Sequence, residues 1–374
     1  MQKMVINRRN FLTSVPVATL VSTLQANAEE IKKNNKTAIL LWMGGGPSTM
    51  DIWDLKPKAP TGGPFRPINT SGDVQICEHM PLMAKQMHNA AIIRSMSTRE
   101  ADHMRGRYYM HTGYVPNPSI EHPSYGSVIS HQLQRPEVSI PKFISVGGGS
   151  MGAGFLGAKY SPFVVNSDGR IRNLDIKIDQ RFYQRAYALD AIESGFINQR
   201  RGSAAKEHQA ILKEAFNVLT SSQMEALKVA GEPDNVKQRY GDNGFGKGCL
   251  MARRLAEAGV PFIEVNLGGW DNHQNIFPTL RDNKLPMLDQ GMSALFEDLE
   301  QRGLINDTVV IWMGEFSRTP RINGNAGRDH WARSWSVVVG GGGMNGGIAV
   351  GETNSDGTRV ETEPYSSHEV MASV

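Results

Sequence analysis

Short apolar runs that stop abruptly at glycine and acidic residues constrain this fold more than any other feature of the sequence. The run at 308–313, TVVIWM, has the length and composition of a buried strand, and it ends at Gly314-Glu315. Further runs of this kind lie at 36–43, 90–96, 142–146, 261–267 and 334–339. Amphipathic helical patterns separate them, among others at 102–112, 246–258 and 285–301. The alternation predicts an α/β fold with a mostly parallel central sheet and helices on both of its faces.

Three regions depart from this alternation. Residues 114–170 are rich in Gly, Pro and Ser, which predicts connecting loops around short strands. Residues from about 174 to 245 carry helical patterns without strands, which predicts a helical insertion or cap over the sheet. The chain ends inside a helical pattern that begins near Ser367, which indicates a truncated sequence or an unusually short C-terminus.

The N-terminus has the organisation of an export signal. The paired Arg8-Arg9 precede a short apolar stretch, and Ala26-Asn27-Ala28 has the small-x-small pattern of a cleavage site. Paired arginines before Phe-Leu are typical of the twin-arginine signal, which the twin-arginine export machinery reads. The alternative is a short membrane anchor, but the apolar stretch is shorter than the ~20 residues of a span. We therefore predict a signal at 1–28, a single domain at 29–374, no stable membrane span and a periplasmic or secreted location.

Composition excludes several classes of protein and of site. The net charge is only +3 without a concentrated basic stripe, which argues against a nucleic-acid partner. The chain has two cysteines, Cys77 and Cys249, so a sulfur-rich metal site is excluded and at most one disulfide could form. Cys249 lies in an amphipathic pattern and is expected to be a buried thiol.

Polar residues follow three of the predicted strands and form the candidate site. Because α/β sheets bind ligands beyond the carboxyl ends of their strands, these residues are expected to lie at one edge. Carboxylates and imidazoles are ligands of divalent ions, so we predict a site for Zn²⁺, Mn²⁺ or Ca²⁺ there. The residues concerned are Asp51 after the first strand, Asp271 and His273 after the second, and Glu315, Arg318, Asp329 and His330 after the third.

Each of these segments also has a simpler interpretation. The loop that carries Glu315 and Arg318 could be a salt-bridged surface loop. Asp271 could cap the helix that follows it, and Asp329-His330 could form a turn held by backbone hydrogen bonds. The occurrence of the pattern at three strand ends favours a metal site over these alternatives.

Several stretches carry a family resemblance. They include the twin-arginine start, GGGPSTMDIWDLKP, ADHMRGRYYMHTG, ARRLAEAGVPFIEVNLGGWDNH and GEFSRTPRINGNAGRDHW. With these stretches the chain resembles the DUF1501 family of exported bacterial proteins. The fold of that family is similar to the alkaline phosphatase/sulfatase superfamily, and the match spans nearly the whole mature chain.

The resemblance implies acidic and histidine ligands around one or two divalent ions. Asp51 corresponds to the aspartate after the first strand, and Glu315 stands where the superfamily usually has aspartate. His103 stands at the position of the superfamily's hydroxyl or thiol nucleophile. The alternatives for it are an extra ligand, a general base or a phosphohistidine-type nucleophile, and we favour a ligand or a base. Arg318 is expected to bind an anionic oxygen of the substrate.

Two functions follow from the resemblance and its departures. The first is an exported, metal-dependent hydrolase of phosphate or sulfate esters, either small anionic molecules or polysaccharides. The second is a non-catalytic periplasmic binding or assembly protein that keeps the fold, because no hydroxyl group stands at the position of His103.

Overall fold

The computed structural model describes residues 36–170, 179–198, 209, 216 and 220–374. The predicted export signal at 1–28 and several parts of the predicted insertion therefore lie outside the described residues. Among the helices that are described, none is long and apolar enough to cross a membrane.

A single large sheet forms the centre of the molecule. In chain order the strands are β1 Thr37–Trp42, β2 Pro67–Asn69, β3 Gln75–Cys77, β4 Ala90–Met96, β5 Phe143–Val146, β6 Phe163–Val165, β7 Phe262–Asn266, β8 Thr308–Met313, β9 Ser317–Arg318, β10 His330–Trp331, β11 Trp335–Gly341 and β12 Ala349–Val350. Eight of these form the sheet, in the order β12-β4-β11-β8-β1-β7-β5-β6. Within it β11 runs antiparallel to both β4 and β8, and the other neighbours are parallel. Two antiparallel pairs, β2–β3 and β9–β10, lie outside it.

Helices cover both faces of the sheet, as predicted. They are α1 Pro81–Gln86, α2 His103–Thr112, α3 Tyr125–Gln132, α4 Gln180–Asn198, α5 Asp234–Tyr240, α6 Gly244–Glu257, α7 Ile276–Thr279, α8 Leu285–Gln301 and α9 Ser367–Ser373. Residues of α1, α6 and α8 pack in one hydrophobic core, and residues of α2, α3 and α9 pack in a second. The predicted α/β fold class is confirmed.

Most deviations from the predicted elements lie where apolar residues are sparse. The segment 114–170 was expected to consist of loops around short strands, one of them at 142–146; it contains the short strands β5 and β6, but also helix α3. Ser124 caps α3 by accepting a hydrogen bond from the Ser127 N–H, although the helix has no clear amphipathic period. The sequence that follows β1, at 48–54, predicts the start of a helix with Ser48 as its cap. Only a short 3₁₀ turn, Thr49–Asp51, forms there, and the Ser48 hydroxyl donates to Asp51 Oδ2 at 2.6 Å instead.

The two cysteines do not form a disulfide. Cys77 and Cys249 are both free and buried. Burial raises the pKa of the Cys77 thiol to about 12, so this thiol stays protonated at neutral pH. The prediction that Cys249 is a buried thiol is confirmed.

Three adjacent parallel strands bring the polar loops together. β1 lies between β7 and β8, with Trp42 opposite Asn266 on one side and Met313 on the other. The loops after these strands therefore start at the same height at the carboxyl edge. Gly45 in the first loop has a φ of 115°, and a Cβ atom there would lie 2.6 Å from the Asp271 backbone nitrogen. Only glycine allows the first two loops to approach this closely.

Candidate metal centre

Asp271 lies at the centre of the polar cluster. Its side chain is 44% exposed, and its Oδ1 is 2.5 Å from Arg318 Nη2. Burial alone would raise the pKa of Asp271, but the hydrogen bond and charge of Arg318 outweigh burial and lower it to about 2. Asp271 is therefore an ionised carboxylate across the physiological pH range.

Three histidines surround this carboxylate, and each has its Nδ1 atom against a fixed acceptor. His103 Nδ1 is 2.8 Å from Glu315 Oε1, and His273 Nδ1 is 2.8 Å from Asp329 Oδ1. His330 Nδ1 is 2.9 Å from the backbone carbonyl of Ala101 at the start of α2. Because a carbonyl or an ionised carboxylate can only accept, a hydrogen on Nδ1 satisfies each of these contacts, in the neutral ring as in the charged one.

The second nitrogen of each ring points at Asp271. The Nε2 atoms of His273 and His330 lie 2.9 Å and 3.3 Å from Oδ1, and that of His103 lies 3.3 Å from Oδ2. The Nε2 atoms of His273 and His330 are 3.2 Å apart. With hydrogen on Nδ1, a neutral ring presents a lone pair at Nε2. In this neutral form the lone pairs of His103 and His330 face the carboxylate, and that of His273 also lies 3.3 Å from Arg318 Nη1. A metal ion between these atoms would stabilise the neutral form.

The charges around the cluster shift its pKa values in different directions. The hydrogen bond from His103 to Glu315 is the main reason why the pKa of His103 is raised. Burial is the main reason why the pKa of His330 is lowered. The pKa of Asp329 is lowered chiefly by its hydrogen bond with His273. Histidine must be neutral to bind a metal ion, so the lowered pKa favours His330 as a ligand.

Glu315 contacts the cluster on its buried side. It is buried, and its Oε1 accepts the Gly45 N–H at 2.8 Å in addition to the His103 ring nitrogen. Its Oε2 and the His103 Nε2 are among the buried atoms of the described chain that have no hydrogen-bond partner. Glu315 Oε2 thus offers an open acceptor beside the cluster, and His103 Nε2 faces only the Asp271 carboxylate, at 3.3 Å.

Most of the residues predicted for the site do meet. The cluster contains His103, Asp271, His273, Glu315, Arg318, Asp329 and His330. One donor atom from each of His103, Asp271 and His330 lies within 4.8 Å of the other two, which is close enough to hold a metal ion. Asp329 contacts the outer nitrogen of His273, so it orients a ligand rather than joining the central group.

Arg318, which was expected to bind an anionic oxygen of the substrate, has its guanidinium occupied by contacts within the protein, among them one of 3.3 Å from Nη1 to His273 Nε2. Its Nε donates to the Gly46 carbonyl at 2.8 Å, and its Nη2 contacts the Gly45 carbonyl and Asp271. Its side chain is fully buried. Arg318 therefore holds the first loop against Asp271, and its planar fork is not presented to solvent.

Asp51 is not brought into the cluster. Its Oδ2 and Oδ1 accept from Arg328 Nε at 2.8 Å and from Nη2 at 2.9 Å. The importance of Arg328 was not predicted, although it directly precedes Asp329-His330 in the sequence. Only its position beside two predicted ligands could have indicated that it belongs to the same structure.

A comparison with protein-family models decides the relationship of the chain. The model described as "Protein of unknown function (DUF1501)" matches residues 35–374. The chain belongs to the DUF1501 family. Among curated proteins, none matches the sequence of this DUF1501 protein.

Solved structures similar to this DUF1501 protein include phosphatases and sulfatases. One is a protein of the alkaline phosphatase superfamily from Vibrio parahaemolyticus, with 12% identity, a TM-score of 0.38 and coverage of 93% of this chain and 74% of that one. Another is the alkaline phosphatase from the Antarctic bacterium TAB5, with 15% identity, a TM-score of 0.36 and coverage of 84% and 94%. A third is the PsFucS1 sulfatase from Pseudoalteromonas sp., with 12% identity, a TM-score of 0.35 and coverage of 90% and 68%.

Proposed function

We propose that this DUF1501 protein is a metal-dependent hydrolase whose ion is held by His103, Asp271, His273 and His330. The observation that carries the proposal is the convergence of three imidazole Nε2 atoms on one ionised carboxylate. Each ring is fixed by its outer nitrogen, as is usual for histidine ligands of metal ions.

The separations between the donor atoms of Asp271, His273 and His330 are close to those around a four-coordinate ion. Bonds of about 2.0–2.2 Å in a tetrahedron place ligand atoms roughly 3.3 Å apart. The shortest separations observed among the donor atoms are 2.9 Å, 3.2 Å and 3.3 Å. Imidazole nitrogens suit Zn²⁺, whereas Mn²⁺ and Ca²⁺ prefer oxygen ligands and higher coordination numbers. Among the predicted ions we therefore favour Zn²⁺, ahead of Mn²⁺.

The residues of this chain prepare the site for hydrolysis in three ways. Glu315 and Asp329 hold His103 and His273 in the tautomer that leaves Nε2 free. Arg318 keeps Asp271 ionised by lowering its pKa. Asp271 and His273 leave an open side for substrate and water, because their side chains are 44% and 45% exposed. When bound, the ion would polarise an ester oxygen and lower the pKa of a water molecule.

The proposed reaction is direct hydrolysis of a phosphate or sulfate ester. Among the described residues, no serine, threonine or cysteine side chain makes a hydrogen bond to the donor atoms of the cluster. Water then supplies the oxygen that forms the new bond to phosphorus or sulfur. The bond to the leaving alcohol breaks, and the alcohol takes up a proton. The resemblance of the sequence suggests phosphate or sulfate esters as the substrates. We also propose that the protein is exported.

Elemental analysis of protein purified without chelators tests this proposal. We expect about one Zn or Mn per chain, and none in the variant Asp271→Ala/His273→Ala. The matched control is Asp282→Ala, which removes an exposed carboxylate that pairs with its neighbour Arg281. Phosphate and sulfate esters should be hydrolysed by the parent and the control but not by the double variant. Hydrolysis that persists in the double variant, or a well-folded parent without metal, would refute the proposal.

A second candidate function is a binding or assembly protein without catalysis. The observation that favours it is the contact between Arg318 and Asp271, because a fixed cation already neutralises the central carboxylate. Under this alternative the purified parent contains no stoichiometric metal, and addition of Zn²⁺ or Mn²⁺ does not raise its unfolding temperature.

A further inference from the structure

Arg328 is the most completely satisfied charged residue near the proposed centre. Its side chain is 0% exposed. A guanidinium has five N–H donors, and Arg328 makes five hydrogen bonds. Two go to Asp51, one to the Thr61 carbonyl at 3.0 Å, and two to the carbonyls of Thr319 and Pro320. No donor of this side chain remains for a ligand.

The carboxylate of Asp51 is likewise buried, and both of its oxygens accept hydrogen bonds from protein groups. Both of its oxygens accept from Arg328, and Oδ2 also accepts the Ser48 hydroxyl at 2.6 Å. Its side chain is 2% exposed. Packing closes the remaining side, because a Cβ atom on Gly63 would lie 2.8 Å from Asp51 Oδ1. A metal ion at Asp51 would have to displace these donors and stand beside a buried guanidinium of the same sign.

The backbone of Arg328 connects this buried pair to the proposed metal ligands. The Arg328 N–H donates to the Asn272 carbonyl at 3.2 Å, and Asn272 lies between Asp271 and His273. Along the chain Arg328 is followed directly by Asp329 and His330. Arg328 therefore connects the loop after β7 to the start of β10. Its ion pair with Asp51 connects both segments to the loop after β1.

We infer that Arg328 occupies the place of a second cation, so that the centre takes a single metal ion and Asp51 acts as a positioning residue. Asp51 acts through Arg328 on the loops that carry Asp271, His273 and His330. The inference rests on the proposed metal centre and goes beyond it, because it fixes the number of ions and removes Asp51 from the ligands.

The test is a metal titration of ion-depleted protein with Zn²⁺ by calorimetry, checked by elemental analysis. We expect one site in the parent and one site in Asp51→Asn, with a dissociation constant that rises ten- to a hundredfold. Arg328→Lys, which keeps the charge but loses the fork, should behave in the same way. Because the two residues act as a pair, Asp51→Asn/Arg328→Lys should weaken binding no more than the stronger single change.

Two controls separate positioning from loss of folding. Urea unfolding identifies variants that bind weakly because they are partly unfolded, and Ser48→Ala removes one contact of Asp51 without touching Arg328. Ser48→Ala should keep one site with affinity within about threefold of the parent.

A separate measurement tests whether the ligands of the ion change. The absorption spectrum of the Co²⁺-loaded protein should keep its shape in Asp51→Asn, because the ligands of the ion are unchanged.

The possible outcomes are distinct. Two sites in the parent, one of which is lost in Asp51→Asn, would overturn this inference and leave the metal-dependent hydrolase standing. One site that disappears in folded Asp51→Asn would also overturn it, since Asp51 would then be a ligand. No site in any folded protein would overturn the proposed function and this inference together.

Discussion

Two acid–arginine pairs lie at the carboxyl edge of the same sheet, and they differ in the exposure of the acid and in the groups that face it. In the pair Asp51–Arg328 both side chains are buried, and every acceptor of the acid faces a donor. In the pair Asp271–Arg318 the arginine is equally buried, but the acid is 44% exposed and faces three imidazole nitrogens.

The difference shows that residue type alone does not identify a ligand. Both aspartates follow a parallel strand of the sheet, and both were predicted to bind metal. Buried charges need partners, and a carboxylate whose partners are all hydrogen-bond donors is already compensated. Asp271 is also paired with an arginine, but the three imidazole nitrogens that face it carry lone pairs when the rings are neutral, so its surroundings can accept a further cation. The comparison is therefore between a completed ion pair and an incomplete one.

The largest expected effect concerns the completed pair. Asp51→Ala leaves the buried Arg328 without its counter-ion, which should lower the free energy of unfolding by about 3–5 kcal/mol. Asp271→Ala should cost only about 1–2 kcal/mol, because water can replace this half-exposed side chain beside Arg318. Urea unfolding of both variants without metal measures the difference. Equal losses in the two variants would contradict the contrast drawn between the pairs.

A smaller effect is expected for Asp329, which orients the proposed ligand His273. Asp329→Asn weakens the hold on His273 Nδ1 and should lower metal affinity ten- to a hundredfold. The free energy of unfolding of the metal-free protein should change by less than about 1 kcal/mol, since Asp329 is 55% exposed. Competition with a chromogenic chelator gives the affinity. An unchanged affinity would show that His273 does not depend on Asp329 for its orientation.

The smallest effect is the dependence of the metal-free protein's stability on pH. The raised pKa of His103 contributes stability that is fully present below its unfolded pKa of about 6.5 and is lost as pH rises through the folded value. The lowered pKa of Asp271 contributes stability that is present above its unfolded value and is lost as pH falls through about 2. Urea midpoints between pH 5 and 9 should decline less in His103→Ala than in the parent; parallel curves would contradict the His103 assignment.

Much of the fold could be predicted because its central elements are strongly apolar. The bounds predicted for β4, β8 and α8 agree with the structure, since each follows a run or a period of apolar residues. Helix α3, YGSVISHQ, was missed because it combines glycine, serine and histidine with only two aliphatic residues. Its burial depends on packing against the sheet, which local sequence does not record.

The candidate site could be predicted only in part for a similar reason. Strand ends locate Asp271, His273 and Glu315, because parallel neighbours finish at one edge. The partner of Asp51 is 277 residues away in sequence, and nothing near Asp51 distinguishes a ligand from half of an ion pair. Likewise, only the structure reveals that Arg318 donates to backbone carbonyls.

The wide separation of the cluster's residues along the chain has a consequence for how the ion would couple to folding. His103 and Glu315 meet across 212 residues, and His330 reaches the Ala101 carbonyl across 229. The pairing of β1 with β7 and β8 closes the intervening chain and brings such distant segments together. An ion bound there would be absent from the unfolded chain and would stabilise only the folded molecule, by about 2.7 kcal/mol at a concentration of a hundred times its dissociation constant. Uptake of the ion would thus report that these long-range contacts are in place.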